Sequence, residues 1–186
     1  LASGPTGFQD YYPATYGGIL SLKSNYRGVQ VDQLYSGLIA EKIEKNLILI
    51  YSGKLRHSGI NNWEVYKSFF DKKNEVREGL GKISRLASSA ENDLKKGEFK
   101  SFFYSLKKEG DLRERLFPGI LTPEIKMFKQ EVKKIDNASG LKVCGAGGGG
   151  CFLIICSPEK RHLVIDLAKN NSMHILNFNV EAPVDF

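Results

Sequence analysis

The chain has 186 residues, enough for one domain or one compact part of a larger protein. Its composition, 41% hydrophobic and 26% charged, is globular, and no apolar stretch is long enough to cross a bilayer, so no membrane partner is expected. The net charge of +6 would suit an anionic partner, but lysines and glutamates share helical segments such as 91–100 and 126–134; solvated helix faces explain them and argue against nucleic acid.

The predicted elements run as follows. Tyr16-Gly17-Gly18 breaks the chain, and residues 19–23 and 29–34 flank the turn-like Asn25-Tyr26-Arg27-Gly28 as a β-hairpin. Leu47-Ile48-Leu49-Ile50-Tyr51 is a continuous apolar strand that belongs in the middle of a sheet. Val76, Leu80, Ile83, Ala87, Ala90 and Leu94 recur at steps of four and three and mark one long amphipathic helix. Phe99, Phe102, Phe103 and Leu106 form a second helical face, expected to stop near Gly110. Thr122-Pro123-Glu124 starts a helix lined by Ile125, Phe128, Val132 and Ile135, with Thr122 as N-cap. Two short apolar strands then enclose a glycine run, a helix is expected over 158–169, and a strand over 175–180 with Leu176, Phe178 and Val180 on one face. Strands separated by helices, with two hairpins, imply an α+β fold: a mostly antiparallel four- to five-stranded sheet covered by helices.

The glycine run Cys144-Gly145-Ala146-Gly147-Gly148-Gly149-Gly150-Cys151 is the most unusual stretch. Glycines contribute no side chain to a core and suit a backbone with φ > 0, or one that something approaches closely. A phosphate, or another phosphate-binding loop packed against it, is the obvious occupant; a glycine-rich hairpin without ligand is the alternative. Gly145, Gly147 and Gly150 satisfy G-x-G-x-x-G, but the strand 151–156 follows where a dinucleotide-binding loop would open a helix. The Walker pattern fails at Cys151, where Lys is required.

Two further stretches carry chemistry. In Gly4-Pro5-Thr6-Gly7-Phe8-Gln9-Asp10-Tyr11-Tyr12-Pro13, small residues lead into a carboxylate flanked by amide and phenol groups that could orient, or take a proton from, an attacking hydroxyl; the alternative is that Asp10 caps a turn or helix. After the central strand, Arg56, His57, Ser58, Asn61, Asn62 and Trp63 offer groups suited to a polyhydroxylated or phosphorylated ligand. Alternatively Asn61 or Asn62 caps the helix carrying Trp63, Tyr66 and Phe70, with Trp63 in the core. Gly7, Gln9, Tyr12, Arg56, Ser58 and Asn61 are therefore candidate substrate-binding residues. The cysteines at 144, 151 and 156 form no disulfide framework, which favours a reducing, cytoplasmic setting. His57, His162 and His174 have no ligand spacing with them, so no metal site is expected here.

Together the three segments resemble the GHMP small-molecule kinases, among which are galactokinase, homoserine kinase, mevalonate kinase and phosphomevalonate kinase. The stretch 144–150 is similar to that family's C-terminal glycine-rich motif, and 7–12 looks like the segment bearing the catalytic aspartate in its sugar-kinase branch. Tyr16-Gly17-Gly18, the 58–63 loop and Leu121-Thr122-Pro123-Glu124 extend the likeness to heptose-7-phosphate kinases, so that it spans essentially the whole chain. The resemblance implies a ferredoxin-like GHMP C-terminal domain over 1–186, with 1–36 packing against a preceding N-terminal kinase domain. It implies Asp10 as catalytic aspartate, and Gly145, Ala146, Gly147, Gly148, Gly149 and Gly150 as a motif near the phosphates. It implies a small-molecule sugar or sugar-phosphate substrate. ATP and Mg2+ would be held mainly by the N-terminal half, because the family's serine- and glycine-rich ATP loop, the basic partner of the aspartate and the metal ligands have no counterpart here. Leu1-Ala2-Ser3-Gly4-Pro5 is neither a signal peptide nor an anchor, and a fragment inactive alone is the expectation. The sequence carries no signal for an oligomeric state.

Overall fold

The computed structural model describes residues 9–55 and 58–184, and for 58–62 the backbone alone. In chain order the elements are α1 (Tyr11–Tyr16), β1 (Leu20–Asn25), β2 (Gly28–Gln33), α2 (Gly37–Asn46), β3 (Leu47–Tyr51), α3 (Ser58–Phe70), α4 (Asn74–Lys96), α5 (Phe99–Leu116) and α6 (Pro123–Ile135). There follow β4 (Gly140–Val143), β5 (Cys151–Ile155), a 3-10 turn (Pro158–Lys160), α7 (Arg161–Asn170) and β6 (His174–Leu176).

The apolar run 47–51 occupies the middle of the sheet, as its lack of alternation requires. β3 pairs antiparallel with β5, from Leu47↔Ile155 to Tyr51↔Cys151, and with β6 on its other side. β4 pairs with β5, from Gly140↔Ile155 to Val143↔Phe152, which gives the order β4-β5-β3-β6. The chain thus traces strand, helices, strand, strand, helix, strand, the ferredoxin-like arrangement. The antiparallel α+β fold expected from the sequence is the fold observed, with four strands in the main sheet. The β1–β2 hairpin forms a separate two-stranded sheet.

The core lies where α6 and α7 meet the sheet. Ile48, Ile50, Phe152 and Ile154 from the strands, Ile125, Phe128 and Val132 from α6, and Val164 and Ala168 from α7 form one buried cluster. Phe128 meets Phe152 edge to face with centroids 5.8 Å apart. Each such fully buried ring stabilises the fold by about 1.5–3 kcal/mol relative to exposure. Thr122 caps α6 as read from the sequence, its side chain accepting from the Ile125 N–H at 3.4 Å.

Four expectations are corrected. The second helical face does not stop at Gly110; α5 runs on to Leu116. Gly110 is buried against β4, where an added Cβ would lie 2.0 Å from the Leu141 carbonyl oxygen, so its missing side chain serves close helix–strand contact. The last strand ends at Leu176 rather than 180, because pairing with β3 covers only Leu49↔Leu176 to Tyr51↔His174 and the alternation beyond has no partner strand. Helix α3 begins at Ser58, so Asn61 and Asn62 lie within it rather than at its N-cap, and Trp63 is 62% exposed rather than core. Helix α2 lacks a strong apolar stripe and is recognisable chiefly by Ser36, whose side chain accepts from the Ile39 N–H.

Candidate active site

The glycine run is the loop of the β4–β5 hairpin, and its five glycines all have φ between +72° and +120°. That backbone is open to glycine and strained for other residues. What approaches it closely is the chain itself. A Cβ on Gly147 would lie 2.4 Å from Ile120 Cγ1 and 2.5 Å from the Ile120 carbonyl oxygen. One on Gly149 would lie 3.0 Å from the Leu55 carbonyl oxygen. The Gly148 N–H donates to the Ile120 carbonyl and the Gly150 N–H to the Lys54 carbonyl, both at 2.9 Å, while the Ser52 N–H donates to the Gly150 carbonyl at 3.0 Å.

These contacts bring the glycine run against the residues that follow β3. Residues 52–55, which lead to Arg56 and Ser58, run directly along the glycine loop. The turn before α6 closes the other side through Ile120. Lys54 pairs with Glu124 in the first turn of α6. That ammonium, with the backbone and Thr122, holds the Glu124 carboxyl down to about 2. Lys54, whose carbonyl accepts from the loop, is therefore already matched by a carboxylate.

Helix α5 braces the loop's entrance. Arg113 Nη1 donates to the Val143 carbonyl at 3.3 Å and Nη2 to the Gly145 carbonyl at 2.5 Å. Glu109 stands between Arg113 (3.9 Å) and Lys142 (2.5 Å). No local pattern marks Arg113 or Ile120 as part of the site. Both reach the loop from about thirty residues away, and the one sequence clue was Gly110, whose bare face lets α5 lie against β4.

Asp10 lies elsewhere in the local bonding pattern. It is exposed, occupies the N-cap position of α1, and its side chain makes no capping bond. The capping alternative is thus met in position but not in bonding. Gln9 is exposed beside it, and Tyr12 stacks on Tyr16 with centroids 6.1 Å apart. Among the described residues, no hydrogen bond or ion pair joins Asp10 to the 145–150 loop. Gly7 and Arg56 lie outside the described residues, as do the side chains of Ser58 and Asn61.

A loop that cradles a phosphate turns successive N–H groups toward one anion. Here the Gly148 and Gly150 amides point inward to the protein's own carbonyls. Among the described residues, no group of three or more His, Cys, Asp or Glu side chains could hold a metal ion. No described helix is long and apolar enough to cross a membrane.

A βαββαβ domain with a glycine-rich hairpin between its second and third strands has counterparts among known proteins. Residues 90–170 match the family model described as GHMP kinases C terminal, in line with the resemblance read from the sequence. No curated protein matches the chain in sequence. Among solved structures, L. major mevalonate kinase in complex with R-mevalonate aligns with a TM-score of 0.75 at 17% identity, over 96% of this chain and 53% of that one. A putative sugar kinase from Campylobacter jejuni gives 0.64 at 20% identity, over 94% and 49%. A D-glycero-D-manno-heptose 1-phosphate kinase from Bacteriodes thetaiotaomicron gives 0.61 at 17%, over 94% and 46%. The chain spans about half the length of these proteins.

Proposed function

We propose that this chain is the acceptor-side C-terminal domain of an ATP-dependent sugar or sugar-phosphate kinase. The observation that carries the reading is the glycine loop, shaped by positive φ at its five glycines and held against residues 52–55, which lead in sequence to Arg56 and Ser58. Asp10, exposed and without a capping bond, is free of a structural task and is assigned the acceptor hydroxyl. Its carboxylate orients that hydroxyl or takes its proton as the oxygen attacks the γ-phosphorus and the bond to the ADP oxygen breaks. Gly7, Gln9, Tyr12, Arg56, Ser58 and Asn61 are assigned to the substrate, and the 145–150 loop to the wall near the phosphates. Residues 1–36 are assigned to packing with an N-terminal kinase domain that holds ATP and Mg2+.

The Gln9-Asp10-Tyr11 context and the polar 58–62 segment favour a sugar. The TM-score of 0.75 to a mevalonate kinase favours mevalonate as the second reading. A cytoplasmic setting is part of the proposal: all three cysteines are free, and burial pushes the Cys156 thiol up to about 11, which keeps it protonated and unreactive. The full-length protein assayed with ATP against heptose phosphates, hexoses, mevalonate and phosphomevalonate tests the reading. Transfer to a sugar or sugar phosphate is expected. Transfer to mevalonate alone replaces the substrate, and transfer to none overturns the kinase in favour of a non-catalytic binding module.

A further inference from the structure

We propose that Arg113 is a positioning residue that fixes the working shape of the 145–150 loop, an inference that rests on the kinase reading above. The argument comes from how the loop's peptide planes are anchored. A trans peptide is planar, with its C=O and N–H pointing in opposite directions, so a partner on either group fixes the direction of both. The Gly145–Ala146 peptide is held through its C=O by Arg113 Nη2. The Gly147–Gly148 peptide is held through its N–H by the Ile120 carbonyl, and the Gly149–Gly150 peptide through its N–H by the Lys54 carbonyl. Alternate peptides of the loop are thus anchored from three different elements.

Of these three anchors only Arg113 is a side chain. Its guanidinium presents donors in a fixed planar fork. One nitrogen reaches the last residue of β4 and another the first residue of the loop, so a single rigid group sets the angle at which the loop leaves the sheet. The arginine is itself held in place, 18% exposed, beside Glu109, which also engages Lys142. With the Gly145 carbonyl drawn toward α5, the Ala146 N–H is directed to the opposite side of the loop. Lysine cannot reproduce this, because a point charge does not bridge two carbonyls in a fixed geometry.

A purely structural tie between α5 and β4 has a different signature, and the molecule contains one for comparison. Lys107 Nζ donates to the Ala138 carbonyl at 3.1 Å, before β4 begins and away from the loop. The test uses the full-length protein with Arg113→Met, Arg113→Lys and Lys107→Met, reading kcat and KM, thermal unfolding, and amide hydrogen exchange. Arg113→Met is expected to lower kcat about ten-fold or more while the acceptor KM stays within about two-fold. Amides of 145–150 should exchange faster while those of β3 and β5 are unchanged, and Arg113→Lys should recover kcat only in part. Lys107→Met should lower the unfolding temperature without changing the loop's exchange. Unchanged kcat and loop exchange in Arg113→Met would overturn the proposal, as would losses matching those of Lys107→Met. Exchange reads the loop without catalysis, so a wild-type chain that phosphorylates nothing overturns the kinase reading while Arg113's hold on the loop is judged separately.

Discussion

The glycine loop and the Asp10 segment are built in opposite ways. The loop is anchored by α5, by the turn before α6 and by the residues after β3, with Gly147, Gly149 and Gly150 buried. Asp10 is exposed on the short helix α1, whose far end is tied to the C-terminal tail by the Val184 N–H to Tyr16 carbonyl bond and the Gly17↔Pro183 bridge. The hairpin after α1 is fastened to α4 by ions: Lys23 and Lys95 both engage the buried Glu91, at 2.8 and 2.6 Å, and both lie 3.7 Å from Asp32. The difference teaches how substitutions should divide. Changes in the loop should act first on folding, whereas under the proposed function changes at Asp10 should act first on chemistry.

That division can be broken or sharpened by ranking effects on stability. The largest belongs to Gly147→Ala, which places a Cβ against Ile120 at a φ of +78°. Strain and overpacking together should cost about 3 kcal/mol or more, read by denaturant unfolding; a cost near zero would mean the loop is not wedged as described. An intermediate effect is expected from acid. Hydrogen bonds from Lys23 and Lys95 hold the Glu91 carboxyl down to about 2 against the opposing effect of burial. Because this pKa is depressed in the folded state, its stabilisation is fully present above the ordinary 4.5 and is lost as pH falls through about 2. Hydrogen exchange between pH 5 and pH 2 should therefore show the β1–β2 hairpin loosening from α4 before β4 and β5 lose protection. Simultaneous loss in both regions would contradict separate fastening. The smallest effect belongs to Asp10→Asn, within about 0.5 kcal/mol of the parent, since an exposed carboxylate without a capping bond is exchanged for an amide of the same shape.

The same contrast explains what could be read from the sequence. The glycine hairpin, the central strand 47–51, the long stripe of α4 and the Thr122 cap are local patterns, and each appears where the residues put it. Gly110 misled because glycine is locally a helix breaker, whereas here the tertiary contact with Leu141 demands it. The 177–180 alternation misled because a strand needs a partner as well as a pattern. Asn61 and Asn62 misled because a capping residue type inside a helix looks the same as one at its start. Arg113 left no trace, since its role exists only once α5 lies along β4. Of the candidate site, the glycine run stood out in the sequence, but nothing there marked the amides of Gly148 and Gly150 that point inward to the protein's own carbonyls.

The central claim, that this domain supplies the acceptor side of a kinase with Asp10 as its reacting carboxylate, is tested most directly by turnover of the full-length Asp10→Asn protein with its acceptor and ATP. The expected result is an unfolding curve matching the parent, ATP binding largely retained, and phosphoryl transfer reduced by about 10²–10⁴-fold. Near-parental turnover in that folded variant would contradict it.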